Sequence, residues 1–484
     1  MSAIYPLKGK YKIQSLIFFF VGLLAVSHLW MTHPSEAVEE KQPFSADHFV
    51  DSIGLNTRLS YADWPTASNW ANPEPQQDIE TLIADLGIRH LRDRMPHPSL
   101  QPSIKYANPR LAKLYSQYGM KFTVRMDIRD KENDVLIPSQ IPAFINWYAN
   151  GKIRLDSGKK VLVRDMLDAI EGPNEYDKHN HPDKRDTNWV QNLTSFQERT
   201  FREAKNNEFL ASIPVIAPSL VQTAYCGSSL DSFATNSDLG NLHPYPNYPY
   251  MRHPVATLSW HLSHAFNCTK QLPIWATETG YLTHHNNPSE ISERTAAKYI
   301  PRLLTEYFLT GKIQRTFIHE IASNGVNAWG LVAASRTREE AARSEPFQLR
   351  PKPAYYAVKS LIRLLNEAEW TKDRQTWVFP NTNLKPIRFS LKDKKDSTHH
   401  LLLQKNNGHY FLLLWQEVES YNPNKGNFEV QPDQVTLNLA NNVTPVSIYQ
   451  YDDQFRYNKR TLNRSTRTIR LNVPDTIMVV ELVS

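Results

Sequence analysis

Met166-Leu-Asp-Ala-Ile170-Glu171-Gly-Pro-Asn174-Glu175-Tyr176 is an apolar run of strand length that ends on carboxylates where a strand should stop. About a hundred residues later, Pro273-Ile-Trp-Ala-Thr277-Glu278-Thr-Gly280 repeats the arrangement, with Ile274-Trp275-Ala276 as the run and Glu278 at its tip. A carboxylate at the C-terminal tip of a buried strand is not a packing choice. In a parallel barrel that tip is where the active site opens. Two such carboxylates facing one another are the minimal apparatus for cleaving a glycosidic bond.

Working outward, strand-length apolar runs recur at Phe49–Leu55, Ile88–Leu91, Phe122–Met126, Met166–Ile170, Ile213–Ala217, Leu239–Leu242, Ile274–Ala276 and Thr316–Ile321. Eight runs are what a closed (β/α)₈ barrel needs. Amphipathic helices are expected between them. Ile79, Leu82, Ile83 and Leu86 stand at i, i+3, i+4 and i+7, as do Ile300, Leu303, Leu304 and Tyr307. Val358, Leu361, Ile362 and Leu365 form the last such stripe, with Pro353 placed to start the helix. From about Glu367 the period changes to two. Val435, Leu437 and Leu439 alternate with polar residues, as do Ile469, Leu471 and Val473, and Asn406-Asn407-Gly408 separates Leu401–Leu403 from Tyr410–Trp415 as a hairpin turn would. The expected fold is a (β/α)₈ TIM barrel over residues 48–366 followed by an antiparallel β-sandwich over 367–484.

A chain of 484 residues with 21% charged and 11% aromatic residues has globular composition. Its net charge of +6 is scattered, and no basic run is interleaved with aromatics, which speaks against nucleic-acid binding. Residues 1–37 read as a targeting segment: Lys8, Lys10 and Lys12 precede the apolar run Leu16–Val26, and Ser35-Glu-Ala37 offers small residues for a signal peptidase. An uncleaved signal anchor is the alternative and would be the chain's sole membrane attachment. Either way the main body is expected to be exported. Cys226 and Cys268 are then either one disulfide or two buried thiols.

A retaining glycosidase needs one carboxylic acid to protonate the leaving oxygen and one carboxylate to attack the anomeric carbon. The acid must keep its proton near neutrality, while the nucleophile stays ionised beside cations and hydrogen-bond donors. By strand count Glu175 follows strand four and Glu278 ends strand seven, across the mouth from each other. Arg92 after strand two, His243 and Tyr245 after strand six, and Asn174 beside Glu175 are candidate donors.

These residues together resemble the clan A retaining glycoside hydrolases: Asn174-Glu175, Thr277-Glu278, Arg92 in Gly87-Ile-Arg-His-Leu-Arg92, and His243-Pro-Tyr245. The resemblance implies Glu175 as acid/base and Glu278 as nucleophile, without a cofactor or a metal. It further implies that Asn174 binds the sugar 2-hydroxyl, that Arg92 and Tyr245 hold Glu278 ionised, and that His243 lines the same site. A C-terminal β-sandwich occurs in several such families, including the β-xylosidase/α-iduronidase type. Two departures stand out. The common Asn-Glu-Pro reads Asn174-Glu175-Tyr176, and no strand-eight aromatic is obvious, Trp329 being the nearest candidate for a sugar platform.

Other signals are weaker. Glu171 reads as an inward-facing strand residue supporting Glu175. Arg94 and Arg125 could contact an acidic sugar, with ordinary ion pairing the simpler account. His179-Asn-His181 and His284-His285 lack a third ligand at metal-site spacing and read as solvated loop histidines. Ser228-Ser229 has no nucleophile elbow around it. Trp64, Trp70, Trp147 and Trp260 could be stacking platforms or core. The sequence thus points to an exported retaining glycoside hydrolase acting on a polysaccharide or oligosaccharide. A transglycosylase with the same residues, or a catalytically silent carbohydrate-binding barrel, are the alternatives.

Overall fold

The computed structural model describes residues 38–61, 79–102, 105–130, 132–180, 186–247, 251–283, 290–324, 329–335 and 348–484. The targeting segment and the residues Trp64, Trp70, His181, His284 and His285 lie outside them. Eight parallel strands form one sheet: β1 Ile53–Asn56, β2 His90–Asp93, β3 Lys121–Arg125, β4 Leu167–Glu171, β5 Val215–Ile216, β6 Gly240–Leu242, β7 Ile274–Thr279 and β8 Ile313–Ile318. Their order is β6-β7-β8-β1-β2-β3-β4-β5. A parallel bridge between Ile216 and Leu239 closes the ring, with Ala217 N donating to Leu239 O at 2.9 Å. This is the expected (β/α)₈ barrel, and each expected run contributes a strand. The first run differs in one respect. Phe49 and Val50 lie in a short helix, Ala46–Asp51, because Ser45 caps it by accepting from the His48 backbone N–H at 3.3 Å. An apolar run of this length has no periodicity that separates helix from strand.

Among the described residues the longer helices between consecutive strands are α1 Ile79–Leu86, α2 Ala107–Tyr118, α3 Ile141–Asn150, α4 Trp189–Lys205, α5 Leu258–Thr269 and α6 Glu293–Leu309, and α7 Pro353–Leu365 follows β8. Ser292 caps α6 by accepting from Thr295 N at 3.0 Å, and Pro353 opens α7 where a missing N–H costs nothing. No α-helix lies between β5 and β6. That connection carries Pro218 and Gly227-Ser-Ser229 and is instead tied to α5 by the Cys226–Cys268 disulfide.

The barrel interior is layered. At the N-terminal end His90, Asp168, Arg315 and Asp51 form an ion-paired cluster. Above it, Ala169, Ile216, Leu239, Trp275 and Phe317 make a small apolar core. Gly54 on β1 makes room for it, since a Cβ there would meet the Phe317 ring at 2.4 Å. Arg92, Glu171, Asn241 and Thr277 form the next layer, wholly polar, and it floors the open end of the barrel.

The C-terminal residues form two antiparallel sheets, as expected for the sandwich. One has the order Glu39–Lys41, Ile387–Lys392, Asp433–Leu439, Thr468–Val473. The other runs Phe44–Ser45, Thr398–Gln404, Tyr410–Gln416, Met478–Val483, Thr444–Tyr451, Tyr457–Thr461, antiparallel throughout except that Phe44–Ser45 lies parallel to Thr398–Gln404. Two short segments ahead of the barrel therefore supply an edge strand to each sheet, a role their polar composition did not announce. Val435 and Leu437 face Leu471 and Ile469 in register. Tyr410–Gln416 is buried throughout because both its faces are covered: Tyr410, Leu412 and Leu414 enter the sandwich core, while Phe411, Leu413 and Trp415 join the barrel core. Barrel and sandwich pack as one compact unit.

Candidate active site

Glu175 and Glu278 come together at the C-terminal mouth of the barrel from β4 and β7. An oxygen of each and a ring nitrogen of His243 all lie within 4.8 Å of one another. The structure brings the expected residues together at this mouth. Arg92 donates to Glu278 Oε1 at 2.5 Å and Tyr245 donates to Glu278 Oε2 at 3.0 Å. His243 Nδ1 lies 3.0 Å from Glu175 Oε1 and 3.8 Å from Glu278 Oε2, and its Nε2 lies 3.0 Å from Thr277 Oγ1. Asn174 accepts from Arg92 at 2.7 Å. Trp329 packs edge-on against Tyr245 and His319, with centroids at 4.9 and 5.8 Å, so the aromatic sought near strand eight does reach the site.

Local backbone explains how Glu175 turns inward. It adopts a left-handed conformation, with φ of 48°, which costs a non-glycine residue roughly 1–3 kcal/mol. Neighbouring contacts hold it there: Asn174 bridges to Ser219, and the Glu175 N–H donates to Ser219 O at 3.0 Å. Past β7, Gly280 lets the chain run close beside β8, since a Cβ there would meet the His319 carbonyl oxygen at 2.7 Å.

Glu171 faces inward as expected, but what it holds is Arg92. It accepts from Arg92 Nε and Nη2 at 2.5 and 2.8 Å and from Asn241 at 3.0 Å. Arg92 also donates to Asn56 at 2.8 Å, and Asn56 in turn donates to the Thr277 carbonyl at 2.9 Å, next to Glu278. The guanidinium is fully enclosed by partners.

The two carboxyls are held differently. Burial pushes Glu278 up, yet His243, His319, Arg92 and Arg125 around it outweigh burial and keep Glu278 well below the usual carboxylate range. His319 itself is pushed down to about 3 by burial, against the pull of Glu278, so its ring is neutral near pH 7. Arg58 donates to its Nε2 at 2.9 Å, and since a guanidinium only donates, the ring hydrogen sits on Nδ1, 3.4 Å from Glu278 Oε2. Burial also pushes Glu175 up, but the His243 hydrogen bond and charge, with Lys178, bring it down to about 2. The Lys178 ammonium donates to Glu175 Oε2 from a largely exposed side chain. Tyr245 is pushed well above 10 by burial and by both carboxylates, so it stays a donor.

Glu175, His243 and Glu278 are spaced closely enough to surround a cation. Their carboxylate charges are already met by Arg92 and Lys178, and the set has no further carboxylate to offer an ion.

His319 and its neighbour Glu320 were not singled out in the sequence, although they directly follow β8. Glu320 is buried beside Arg58, 2.6 Å from its Nε, and burial pushes its carboxyl up to about 8 against the pull of Arg58. His179 corrects an expectation. It is buried, packed at a tilt against the Tyr176 ring at 4.4 Å and 3.2 Å from Asp134, not solvated in a loop. Tyr176, which replaces the usual proline, donates to Asp186 at 2.5 Å and anchors this loop. Ser228 is exposed and donates to the Ala224 carbonyl at 3.0 Å. Trp147 packs against the core beside His97, and Trp260 is exposed on α5.

Most of the chain superposes on solved glycoside hydrolases at low identity. A glucosidase from Croceicoccus marinus matches with a TM-score of 0.55 at 8% identity, over 92% of this chain and 98% of that one. The catalytic domain of the family 30 xylanase C from Talaromyces cellulolyticus matches with a TM-score of 0.51 at 13% identity, over 92% and 99%. A β-porphyranase of glycoside hydrolase family 86 from Bacteroides plebeius matches with a TM-score of 0.51 at 12% identity, over 93% and 77%. No protein-family model and no curated protein matches the sequence. The chain therefore shares its overall (β/α)₈ fold with these solved glycoside hydrolases.

Proposed function

We propose that the chain is an exported retaining glycoside hydrolase that cleaves a polysaccharide or oligosaccharide by double displacement. The observation that carries this reading is the carboxylate pair: oxygens of Glu175 and Glu278 within 4.8 Å, raised from β4 and β7. Retaining enzymes hold their carboxyls about 5–5.5 Å apart, whereas inverting enzymes leave about 6.5–9.5 Å for a water. The fold shared with a glucosidase and a xylanase supports the same reading. Residues 1–37 would direct export by a signal peptide or anchor, with 48–366 as the catalytic barrel and 367–484 as the sandwich. Among the described residues no helix is long and apolar enough to cross a membrane.

Glu278 is the nucleophile in this scheme. Its oxygens are aimed by Arg92 and Tyr245, and its charge is held ready by Arg92 and Arg125. It attacks the anomeric carbon as the glycosidic C–O bond breaks and Glu175 gives its proton to the departing oxygen. A water then gives a proton to Glu175 and attacks the same carbon, freeing Glu278 and releasing sugar with retained configuration. Arg92 occupies the Asn174 oxygen, leaving the amide nitrogen to donate to a sugar hydroxyl.

The free site holds Glu175 as a carboxylate, so it must gain its proton with the substrate. A bound sugar that excludes water strengthens burial and the Glu278 charge, the two causes that raise Glu175 against the pull of His243 and Lys178. The pairing of an acid/base with an aimed nucleophile favours an enzyme over a silent binding barrel. A transglycosylase would use the same residues and differ in excluding water. The test is turnover of aryl glycosides and polysaccharides by the purified protein, with the anomeric configuration of the first product read by NMR. Inverted product would overturn the nucleophile assignment, and no turnover of any glycan would leave the silent barrel.

A further inference from the structure

Three guanidinium groups converge on Tyr61, just past β1. Arg94, Arg58 and Arg125 lie 4.8, 5.2 and 5.7 Å from its ring centroid, and Arg125 Nη2 donates to its hydroxyl at 2.5 Å. With Arg92, Asn56, Asp93 and Glu278 they line a cavity of about 20 Å³. That is room for one or two oxygen-sized groups and not for a sugar ring.

The cavity's charges do not balance. Arg92 is met by Glu171 and Glu278, and Arg58 lies against Glu320. Arg94 and Arg125 share Asp127, at 3.9 and 3.6 Å, and Arg129 already holds that carboxylate at 2.6 Å. Asp127 is the one carboxylate within ion-pair distance of either arginine among the described residues. The Nε groups of Arg94 and Arg125 are both buried without a hydrogen-bond partner. Asp93 does not relieve them, because its oxygens accept from Thr57, Ser60 and the backbone N–H groups of Leu59 and Arg94. Tyr61 registers the excess: burial pushes its hydroxyl up, yet Arg125, Arg94 and Arg58 bring it below its ordinary value. Buried donors without partners cost free energy unless something occupies them, and ordinary ion pairing leaves these two unsatisfied.

We infer that this cavity is a subsite for an anionic substituent, a carboxylate or a sulfate, on the sugar whose anomeric carbon faces Glu278, and that the substrate is therefore an acidic glycan. The inference rests on the glycosidase reading for its placement of that sugar. The substituent would enter the cavity while the ring stays above Glu278, accepting from Arg94 and Arg125 as a bidentate oxyanion does.

The test is calorimetric binding to the full chain carrying Glu175→Gln, which keeps Arg94 and Arg125 intact. The probes are uronic-acid oligosaccharides before and after carboxyl reduction, and sulfated oligosaccharides before and after desulfation. The acidic member of at least one pair should bind roughly ten- to a hundredfold tighter than its neutral counterpart, and which pair responds tells carboxylate from sulfate. Arg94→Gln with Arg125→Gln should bring that ratio near one. Arg125→Lys serves where the double variant does not melt cooperatively, and should cut the ratio several-fold. Equal binding of acidic and neutral forms, no binding of any probe, or an unchanged ratio in the folded arginine variants would overturn the subsite. The parent protein separates the two readings. Acidic preference without turnover of any glycan keeps the subsite and removes the catalytic assignment, while turnover of neutral glycans without acidic preference does the reverse.

Discussion

Arg92 Nη1 lies 2.5 Å from Glu278 Oε1, and the other edge of the same guanidinium holds Glu171. One buried cation thus serves two buried carboxylates. Arg92→Met strands both, and removing one partner of a buried pair typically costs about 3–5 kcal/mol. Urea unfolding should show a loss of that order. Because Arg92 is among the charges holding Glu278 down, the acidic limb of the pH–rate profile should move to higher pH in the variant. Arg92→Lys keeps one charge but not the fork that reaches Glu171, Asn174 and Asn56, and should fall between. A Met variant as stable as the parent would show that the two carboxyls are not jointly charged.

The two glutamates should respond differently to removal. Glu278→Gln is near-isosteric and leaves folding intact while abolishing the covalent route, so turnover should fall by several orders of magnitude on every substrate. Glu175→Gln should cost about 10²–10⁴-fold on substrates with poor leaving groups and much less on activated aryl glycosides, which need little protonation. Azide should partly rescue Glu175→Ala on an activated substrate and yield a glycosyl azide of retained configuration. Full activity in both Gln variants would remove the glycosidase reading.

What was legible in the sequence was whatever lay on one strand tip. Glu278 behind Ile274-Trp-Ala276, Asn174-Glu175 behind β4, Arg92, and His243-Pro-Tyr245 each combine an apolar run with a polar end, and the barrel brings these ends together. The partners that set their chemistry were not legible, because each contact joins distant strands: Asn56 to Thr277, Asn241 to Glu171, Ser219 to Glu175. His319-Glu320, directly past β8, carried the same strand-tip signal. Period-two alternation exposed the sandwich but not the edge strands at Glu39–Lys41 and Phe44–Ser45, which are too short to alternate. His179 shows the converse limit, since a histidine in a polar run carries no mark of the Tyr176 ring that buries it.

Stability should decline on the acid side before ordinary carboxylates titrate. Burial pushes His319 down to about 3 and His261 and His400 to about 4. Below about pH 6.5 the unfolded chain takes up protons that these folded rings refuse, so stability falls as pH drops from 6.5 toward 4. Each ring contributes up to roughly 1.4 kcal/mol per pH unit. His399, pushed up by its hydrogen bond to Glu306, works the other way and offsets part of one. Glu320 also opposes the trend: raised to about 8, it adds stability that is full below about pH 4.5 and is lost as pH rises through 8. Melting temperature against pH should therefore peak between these limbs, and His400→Phe should flatten the acidic limb. An unchanged acidic slope in that variant would show that His400 titrates normally in the folded state.

Arg302 and Glu417 should be energetically coupled where the barrel meets the sandwich. Arg302 on α6 donates to Glu417 at 2.9 Å and to the carbonyls of Val418 and Asp475 at 3.0 and 3.2 Å, just past the strand Tyr410–Gln416. His253 Nδ1 approaches Glu417 at 2.9 Å, and Lys298 on α6 donates to Asp475 at 2.8 Å. Burial pushes Glu417 up, but Arg302 and His253 bring it to about 2, so it enters the interface as a carboxylate. Arg302→Met strands that charge and should destabilise by about 3–5 kcal/mol. Adding Glu417→Leu removes the stranded charge and should restore a large part of the loss, since an apolar pair of similar volume is often neutral or better. The coupling is read from denaturant unfolding of the parent, both single variants and the double variant. Additive losses would mean that Arg302 and Glu417 act independently.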